Sequence, residues 1–221
     1  MANLNSSRLN RYLEYTQLSA TLTYDKVDQM VVDAKKHNFV GICVPPFWVK
    51  KVRRDLGETD IQLVTVVGFP LGYQMTETKV EEMKLAIRDG VNELDLVMNL
   101  SAFKSRMPWV KVEIAKCAAL AHEHDCLLKI IIETAYLSDN EITTACKLCA
   151  DAGADFVKTS TGFASNGASI HHIKLIRSML PSNVGIKASG GIKTAQQAID
   201  LIEAGADRIG ASAALGIISE E

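Results

Sequence analysis

The chain has 221 residues, of which 48% are hydrophobic and 23% are charged, and its formal net charge is −2. These values lie near the averages of globular proteins, and the length is sufficient for one large core. The near-neutral charge gives no reason to expect a nucleic acid or an anionic membrane as a partner.

Short apolar runs alternate with amphipathic stretches along the whole chain, a pattern typical of alternating strands and helices. The predicted strands are 13–18, 40–44, 62–68, 93–98, 127–133, 155–159, 185–188 and 208–210. The predicted helices are 25–37, 46–56, 76–89, 108–124, 139–152, 169–179 and 194–204, with a last short helix near Ala213.

The predicted helix ends carry residues of the types that begin and end helices. The expected N-caps are Asp25, Thr76, Ser138 and Thr194. The expected C-terminal glycines are Gly90, Gly153 and Gly205. Each glycine is followed two residues later by a polar residue and then by an apolar strand. Three copies of this joint indicate a repeating βα fold.

Eight strand–helix units of about 25–30 residues favour a (β/α)8 TIM barrel of the α/β class. A flavodoxin-like sheet needs only about five such units and would leave the remainder of the chain unexplained. No linker rich in proline or serine divides the sequence. We therefore predict a single domain over residues 1–221.

Two features of the sequence predict a cytoplasmic protein. Residues 1–12 lack the apolar core of a signal peptide, and the longest apolar run, around 61–73, is too short to span a membrane. The chain has five cysteines, an odd number, in apolar strand or helix patterns, which favours reduced thiols.

Polar side chains interrupt the apolar strands on one face. Side chains alternate between the two faces of a strand, and the all-apolar faces are expected to pack on the helices. This leaves Asp95, Lys129, Lys158 and Lys187 pointing into the predicted barrel. Lys158 and Lys187 also lie near the carboxyl ends of their strands, where barrel enzymes build their active sites. A lone strand lysine is more often ion-paired than catalytic, and Lys129 could be simply the counter-ion of Asp95.

Two lysines close together suit chemistry that depends on a neutral amine. A lysine needs its pKa lowered by several units from about 10.4 to act as a nucleophile near neutral pH. Burial and a neighbouring ammonium both lower it. One of Lys158 and Lys187 is thus expected to attack a carbonyl while the other supplies the charge, and the residues leave open which does which. Asp95 would relay protons to and from a substrate hydroxyl.

Glycines behind these strands predict an anion-binding loop. Gly162 ends the turn after Lys158, Gly190 and Gly191 follow Lys187, and residues 210–212 open the last short helix. In barrels, the loops after the seventh and eighth strands commonly bind phosphate through backbone N–H groups. A phosphorylated carbonyl compound therefore fits both halves of the expected site.

A divalent metal is the other common means of stabilising an enolate. The five histidines, at positions 37, 122, 124, 171 and 172, all lie on predicted helices or at their ends and not at strand ends. We therefore do not expect a histidine-ligated zinc site. Cys146 and Cys149 lie on an apolar helix stripe and are interpreted as core residues.

Several motifs together resemble the deoxyribose-phosphate aldolases, a family of class I (Schiff-base) aldolases. The resemblance extends along nearly the whole chain. Lys-Thr-Ser-Thr-Gly on a barrel strand, combined with a second strand lysine, is specific to this family. The stretches that carry the resemblance are 41–46, 67–72, 92–99, 129–134, 155–162, 185–191 and 208–212.

The resemblance implies that Lys158 forms the Schiff base, that Lys187 lowers its pKa and that Asp95 takes part in the proton relay. The implied reaction is the reversible cleavage of 2-deoxy-D-ribose 5-phosphate to D-glyceraldehyde 3-phosphate and acetaldehyde in nucleoside catabolism, without a metal or an organic cofactor. A homodimer or homotetramer is expected. The expected substrate- and phosphate-binding residues are Thr16, Cys43, Lys129, Thr161, Gly162, Gly190, Gly191, Gly210 and Ser212.

Three positions depart from the family pattern. Residues 14–16 (Glu-Tyr-Thr) replace an aspartate followed by histidine or leucine, Phe163 replaces a lysine or glycine, and the chain end lacks the tyrosine that some members use in proton transfer. Two alternatives also stay open. One is a transaldolase-like Schiff-base barrel acting on longer sugar phosphates, and the other is a phosphate-binding barrel without catalysis.

Overall fold

The computed structural model describes residues 6–219, and their eight strands form a closed parallel barrel in sequence order. Residues 1–5 and 220–221 lie outside the described residues. They include part of the N-terminal stretch discussed above for its lack of a signal-peptide core, and the C-terminal residues noted as a departure from the family pattern. The strands are β1 (Leu13–Thr16), β2 (Gly41–Val44), β3 (Gln62–Val67), β4 (Glu93–Val97), β5 (Leu127–Ile131), β6 (Phe156–Lys158), β7 (Gly185–Ser189) and β8 (Arg208–Ala211).

The α-helices follow the strands and surround the barrel. They are α1 (Tyr24–His37), α2 (Val49–Leu56), α3 (Thr76–Arg88), α4 (Leu100–Lys104), α5 (Trp109–Glu123), α6 (Asp139–Asp151), α7 (Ile170–Met179), α8 (Ala195–Glu203) and α9 (Ala214–Ser219). Short 3₁₀ turns occupy Ser6–Arg11, Pro46–Trp48 and Thr134–Tyr136. None of the helices within residues 6–219 combines the length and the apolarity that crossing a bilayer requires.

The predicted (β/α)8 barrel is confirmed, and the differences are shifted element ends and one additional short helix. The first and fifth strands end two residues earlier than predicted, at Thr16 and Ile131. Strand β5 cannot continue through Glu133, because the backbone of that residue takes a left-handed conformation with φ of 50°. The predicted helix 46–56 begins as a 3₁₀ turn, and α4 was not predicted.

Two of the four predicted N-caps are confirmed. Ser138 and Thr194 each form a capping box with the residue three positions on. The predictions for Asp25 and Thr76 were wrong, because both residues lie inside their helices. The hydroxyl of Thr76 instead donates a hydrogen bond of 2.9 Å to Glu113 Oε2. The three predicted C-terminal glycines all have positive φ angles.

The strands of the barrel wall carry two layers of buried side chains, one facing the helices and one facing the barrel interior. Apolar residues such as Leu94 and Leu96 on β4, which the pattern assigned to the helix side, are fully buried in the main hydrophobic cluster. The opposite faces of β4 to β7 carry charged residues into the interior. The strand register places Asp95 beside Lys129 and Lys158 beside Lys187. The parallel register therefore concentrates the charges of four strands in one small volume.

All five cysteines are free and buried. Cys146 and Cys149 have no exposed surface and belong to the hydrophobic core, as their helical spacing predicted.

Candidate active site

One carboxylate holds the three interior lysines together. Asp95 Oδ2 lies 2.8 Å from Lys158 Nζ and 2.7 Å from Lys187 Nζ, and Oδ1 lies 3.0 Å from Lys129 Nζ. Asp95, Lys129 and Lys187 have no exposed surface, and Lys158 is 2% exposed. The structure thus brings together all four charged side chains that the strand pattern directed into the barrel.

The three lysines differ in the number of carboxylates that each one contacts. Lys187 contacts Glu14 as well as Asp95. Lys129 lies 2.5 Å from Glu93 Oε2 and 3.7 Å from Glu14 Oε1 in addition to its contact with Asp95. Within residues 6–219, Lys158 forms an ion pair with Asp95 alone. Lys158 is therefore the least compensated ammonium of the three.

This difference decides the direction of each lysine's pKa. Burial lowers the pKa of Lys158, and the positive charge of Lys187 adds to that effect, so that the opposing attraction of Asp95 does not restore the usual value. Burial acts in the same direction on Lys187, but Asp95 and Glu14 together raise its pKa well above its ordinary value. The pKa of Lys129 is raised in the same way, because Asp95, Glu14 and Glu93 together outweigh the effect of burial. Lys158 is consequently the lysine that is most readily deprotonated.

Two carboxylates of the network, Asp95 and Glu14, stay ionised. Burial alone would raise the pKa of Asp95, but the lysines around it hold that pKa well below its usual range. The pKa of Glu14 is lowered for the same reason by Lys129 and Lys187, against the effect of burial. The network therefore keeps a fixed arrangement of charges around one amine of lowered pKa.

Of the three interior lysines, Lys158 is also the one whose side chain is next to a cavity. It lines a cavity of about 250 Å³ at the carboxyl ends of the strands, whereas Lys129 and Lys187 do not line it. Seven of the nine residues predicted to bind substrate line the same cavity: Thr16, Thr161, Gly162, Gly190, Gly191, Gly210 and Ser212. The other two, Cys43 and Lys129, lie outside its lining.

Both exceptions have a structural reason. Cys43 is fully buried and packs with Val64 and Val66 behind the cavity, and burial raises the pKa of its thiol to about 11. Lys129 contacts Asp95 and Glu93 in the barrel interior, the counter-ion arrangement that the sequence had left open.

Glycines leave room for a ligand on one side of the cavity. Gly162 and Gly191 have φ angles of 86° and 77°, and a Cβ atom on either would meet no atom within 4 Å. The left-handed backbone, and not crowding, therefore requires glycine here. Gly210 serves a different purpose, because a Cβ on it would come within 3.0 Å of Lys187 Cε. Because Gly210 has no side chain, Lys187 has room to reach Asp95.

Hydroxyl groups after β6 fix the loop that carries Lys158 into the cavity wall. Ser189 Oγ donates a hydrogen bond of 2.7 Å to the carbonyl oxygen of Ser160, and Thr159 Oγ1 donates to the carbonyl oxygen of Ser189 at 3.2 Å. These bonds join the ends of β6 and β7. They therefore fix the distance between the turn at Gly162 and the turn at Gly190 and Gly191.

Sequence reasoning missed Glu133, which anchors the same loop. Its Oε2 atom accepts hydrogen bonds from the backbone N–H of Thr161, at 3.1 Å, and from the Thr161 hydroxyl. Thr161 Oγ1 in turn accepts from the backbone N–H of Phe163 at 3.1 Å. The signal was an acidic residue directly after the apolar run 130–132, which indicates a carboxylate that is buried and hydrogen-bonded.

Glu14 and Glu93 were also missed as members of the charged interior. Glu14 had been noted only as a departure from the family pattern, yet it is fully buried and contacts Lys187. Glu93 begins β4 and contacts both Lys129 and, at 3.6 Å, Arg208. Strand alternation places Glu93 on the same face of β4 as Asp95, so the pattern contained this information.

Phe163 forms part of the outer wall of the cavity. Its ring lies edge-on to that of Phe69, with 5.2 Å between the ring centres, and the residue is 61% exposed. An aromatic rim thus stands where the family pattern led us to look for a lysine or glycine.

Known proteins are similar to this chain over nearly its full length. A family described as DeoC/LacD family aldolase matches residues 9–219. The deoxyribose-phosphate aldolase of Lactiplantibacillus plantarum is 45% identical over 96% of this chain and 100% of its own length. That of Aciduliprofundum boonei is 45% identical over 97% of both chains. The structure of the tetrameric deoxyribose phosphate aldolase from Aeropyrum pernix superposes with a TM-score of 0.89 at 30% identity, covering 97% of this chain and 91% of that one.

Proposed function

Because the chain belongs to the DeoC/LacD family of aldolases, we propose that it catalyses the reversible cleavage of 2-deoxy-D-ribose 5-phosphate to D-glyceraldehyde 3-phosphate and acetaldehyde. Relatives that share 42–45% of its residues over most of its length are deoxyribose-phosphate aldolases. The reaction is a carbon–carbon lyase reaction, and it proceeds through a Schiff base on Lys158.

One observation carries this proposal. Lys158 is the interior lysine with a lowered pKa, it contacts a single carboxylate, and it opens onto the cavity. A neutral amine is the form that adds to a carbonyl carbon. Lys187, whose pKa is raised, stays protonated beside it and opposes a second positive charge on Lys158. The two lysines therefore have separate roles, nucleophile and perturbing charge.

The first half of the reaction forms an iminium ion. The neutral Nζ of Lys158 adds to C1 of the open-chain sugar, and loss of water from the resulting carbinolamine gives a protonated Schiff base. The leaving hydroxyl takes its proton from the Lys187 ammonium, which is hydrogen-bonded to the ionised Asp95 and regains a proton from the relay when the 3-hydroxyl is deprotonated. The positive iminium nitrogen remains close to Asp95, whose negative charge stabilises it.

The second half breaks the bond between C2 and C3. The 3-hydroxyl loses its proton to the relay that includes Asp95, its electrons form the aldehyde of D-glyceraldehyde 3-phosphate, and the C2–C3 electron pair moves towards the iminium to give an enamine. Protonation of the enamine at C2 and addition of water then release acetaldehyde and restore the Lys158 amine. No electrons are gained or lost overall, so the reaction needs no redox partner, and we propose no metal or organic cofactor for it.

We assign the phosphate group to the glycine-lined side of the cavity. Gly162, Gly190, Gly191, Gly210 and Ser212 lie there, and backbone N–H groups in such turns bind phosphate oxygens. Thr16 and Thr161 supply hydroxyls at the same wall. Phe163 lies at the rim of this side and offers the phosphate no side-chain hydrogen-bond donor, whereas Lys193 in the same lining supplies a positive charge beside the backbone groups.

Borohydride trapping tests the function directly. The chain is incubated with acetaldehyde and sodium borohydride, digested, and mapped by mass spectrometry. We expect one ethyl group on the peptide that contains Lys158 and none on peptides that contain only Lys187 or Lys129. A labelled Lys187 peptide, or no label together with no release of acetaldehyde from 2-deoxy-D-ribose 5-phosphate, would contradict the proposal.

We further propose a homo-oligomer in the cytoplasm that acts in the catabolism of deoxynucleosides. The tetrameric relative from Aeropyrum pernix supports self-association, and the five buried free cysteines suit a reducing compartment. Light scattering coupled to gel filtration measures the first point, and a monomer would contradict it.

A further inference from the structure

Three side chains with metal-binding groups meet on the outside of the barrel, apart from the lysine cavity. Asp139 is the first residue of α6, and His171 and His172 lie in the first turn of α7. One donor atom of each lies within 4.8 Å of the donor atoms of the other two. None of the three lines the cavity that contains Lys158. The cluster therefore plays no part in the proposed aldol chemistry.

The sequence argued against histidine-ligated zinc in the catalytic site, but for this separate cluster we propose that Asp139, His171 and His172 form a binding site for a divalent transition metal ion of the Zn²⁺ type. His171 Nε2 and Asp139 Oδ2 are 2.8 Å apart, joined by a hydrogen bond. Ligands at the usual zinc bond lengths of about 2.0–2.2 Å stand about 3.3–3.5 Å from each other in a tetrahedron. An ion entering between these atoms takes the place of the shared proton, which moves to Nδ1 of His171 or to solvent, and the third donor atom lies within 4.8 Å of the other two.

The donor set selects the class of metal. Imidazole nitrogens suit zinc, nickel and copper, whereas magnesium and calcium prefer sites made of oxygen ligands. The Nδ1 atom of His172 is buried and has no hydrogen-bond partner within residues 6–219. Partial exposure of His171 and Asp139 leaves access for the ion and for a water molecule as a fourth ligand.

The position of the cluster also limits its affinity. Both α6 and α7 begin here, and the partial positive charges at helix N-termini oppose a cation. The carboxylate of Asp139 offsets this repulsion, so binding depends on that residue as well as on the two imidazoles. We therefore expect one ion per chain, bound tightly enough to follow in a direct titration but released by a chelator.

A bound ion would join two neighbouring helices at the cavity end of the barrel. The segment between β6 and α7 contains Thr161 and Phe163, which line the substrate cavity, and it ends at Ser169, whose Oγ atom accepts a hydrogen bond from the N–H of His172. Linking α7 to α6 would hold the end of this segment. The expected role is structural, and its measure is a rise in the unfolding temperature on addition of Zn²⁺.

Calorimetric titration of the metal-free full-length chain with Zn²⁺ tests the site. After dialysis against a chelator, we expect one equivalent of Zn²⁺ to bind and the unfolding temperature to rise. His171→Ala and Asp139→Asn should each weaken binding by at least the roughly 10- to 100-fold that loss of a mere outer-shell partner costs. Both residues are more than half exposed, so these variants keep the fold.

His122→Ala is the matched control. His122 is another exposed histidine paired with an aspartate, Asp155, at 2.9 Å, but within residues 6–219 no third histidine, cysteine or carboxylate completes a metal-binding cluster with this pair. Its loss should leave Zn²⁺ binding unchanged. Absence of Zn²⁺ binding to the unaltered chain would overturn the proposal, and so would equal affinity in His171→Ala. A thiolate absorption band on titration with Co²⁺ would also overturn it, because that band would assign the ion to a cysteine. None of these readouts uses enzymatic activity, so the aldolase function is tested separately.

Discussion

Lys158 and Lys187 are register partners on neighbouring strands, and their Nζ atoms contact the same oxygen atom, Asp95 Oδ2, at 2.8 and 2.7 Å. Two ammonium groups sharing one carboxylate oxygen cannot both be fully neutralised by it. Lys187 has a second carboxylate in Glu14, and Lys158 has none among the described residues. The proton therefore leaves Lys158 first, and the neutral amine appears on the side of the pair that faces the cavity.

Replacing the proposed nucleophile, Lys158, should abolish turnover while leaving the barrel folded. Lys158→Ala removes the amine but leaves Asp95 paired with Lys129 and Lys187, so the carboxylate stays compensated. We expect no measurable cleavage of 2-deoxy-D-ribose 5-phosphate and a circular dichroism spectrum like that of the unaltered protein. If secondary structure disappears together with activity, Lys158 is required for folding and the variant gives no support for a catalytic amine.

Removing the perturbing charge should shift the pH dependence of the rate. Lys187→Leu deletes a positive charge that lowers the pKa of Lys158 and leaves Asp95 with one fewer competing partner, so the pKa of Lys158 rises. Less neutral amine is then present at any given pH. We expect the ascending limb of the profile of kcat/KM against pH to move to higher pH, with a lower rate at neutrality. A profile at the same position as that of the unaltered enzyme would refute this role for Lys187.

Shortening Glu133 should weaken the binding of the phosphorylated substrate. Glu133→Ala removes the acceptor of two hydrogen bonds from Thr161, and hydrogen bonds to charged groups contribute about 1.5–3 kcal/mol. A loss of about 1.5 kcal/mol corresponds to roughly tenfold in kcat/KM. We expect this loss mainly as an increase in KM, because the network around Lys158 is unchanged.

Glu133→Gln serves as the comparison for that loop, because its amide oxygen keeps an acceptor at the same place. A smaller rise in KM than in Glu133→Ala is expected. Equal losses in the two variants, seen in kcat and not in KM, would show that Glu133 acts on the chemical step instead.

Glu14 should contribute to stability, with a sign that depends on pH. Its folded pKa lies below the ordinary value of 4.5, so the folded state favours the ionised form. The stabilisation is therefore present above the unfolded pKa and is lost as the pH falls through the lower folded value. Breaking a buried ion pair by removing one partner costs about 3–5 kcal/mol. We expect Glu14→Gln to lower the free energy of unfolding in urea at pH 7 by an amount of this order.

The same substitution should reduce the dependence of stability on acid. In the unaltered chain the unfolding free energy should fall below about pH 4.5, and the fall should be shallower in Glu14→Gln because one titrating group is gone. Asp151→Asn, which removes an exposed partner of Lys147 and Lys111, is the control and should change both quantities much less, because exposed ion pairs contribute little to stability. Parallel acid curves for the Glu14 variant and the unaltered chain would contradict this assignment.

Most of the fold followed from local pattern. The alternation of apolar runs and amphipathic stretches predicted the eight strands of the barrel, because a buried parallel strand and a surface helix have different hydrophobic periods. Most errors of the prediction lay at element ends. There a single backbone angle, or a hydroxyl group that forms its hydrogen bond with another helix, decides the boundary. Glu133 and Thr76 are the two examples, and neither signal is visible in the hydrophobic pattern.

The amino-acid sequence by itself determined four of the charged side chains that point into the barrel, because alternation along a strand is a property of the strand alone. It identified Asp95, Lys129, Lys158 and Lys187 together, and the resemblance to a family named Lys158 as the nucleophile. Only the tertiary structure supplied a physical reason for that choice. The pKa of a buried amine depends on the carboxylates that surround it, and Glu14 lies 173 residues from Lys187 along the chain. Closure of the barrel brings these residues into contact, and it leaves Lys158 with the fewest counter-charges and the open face.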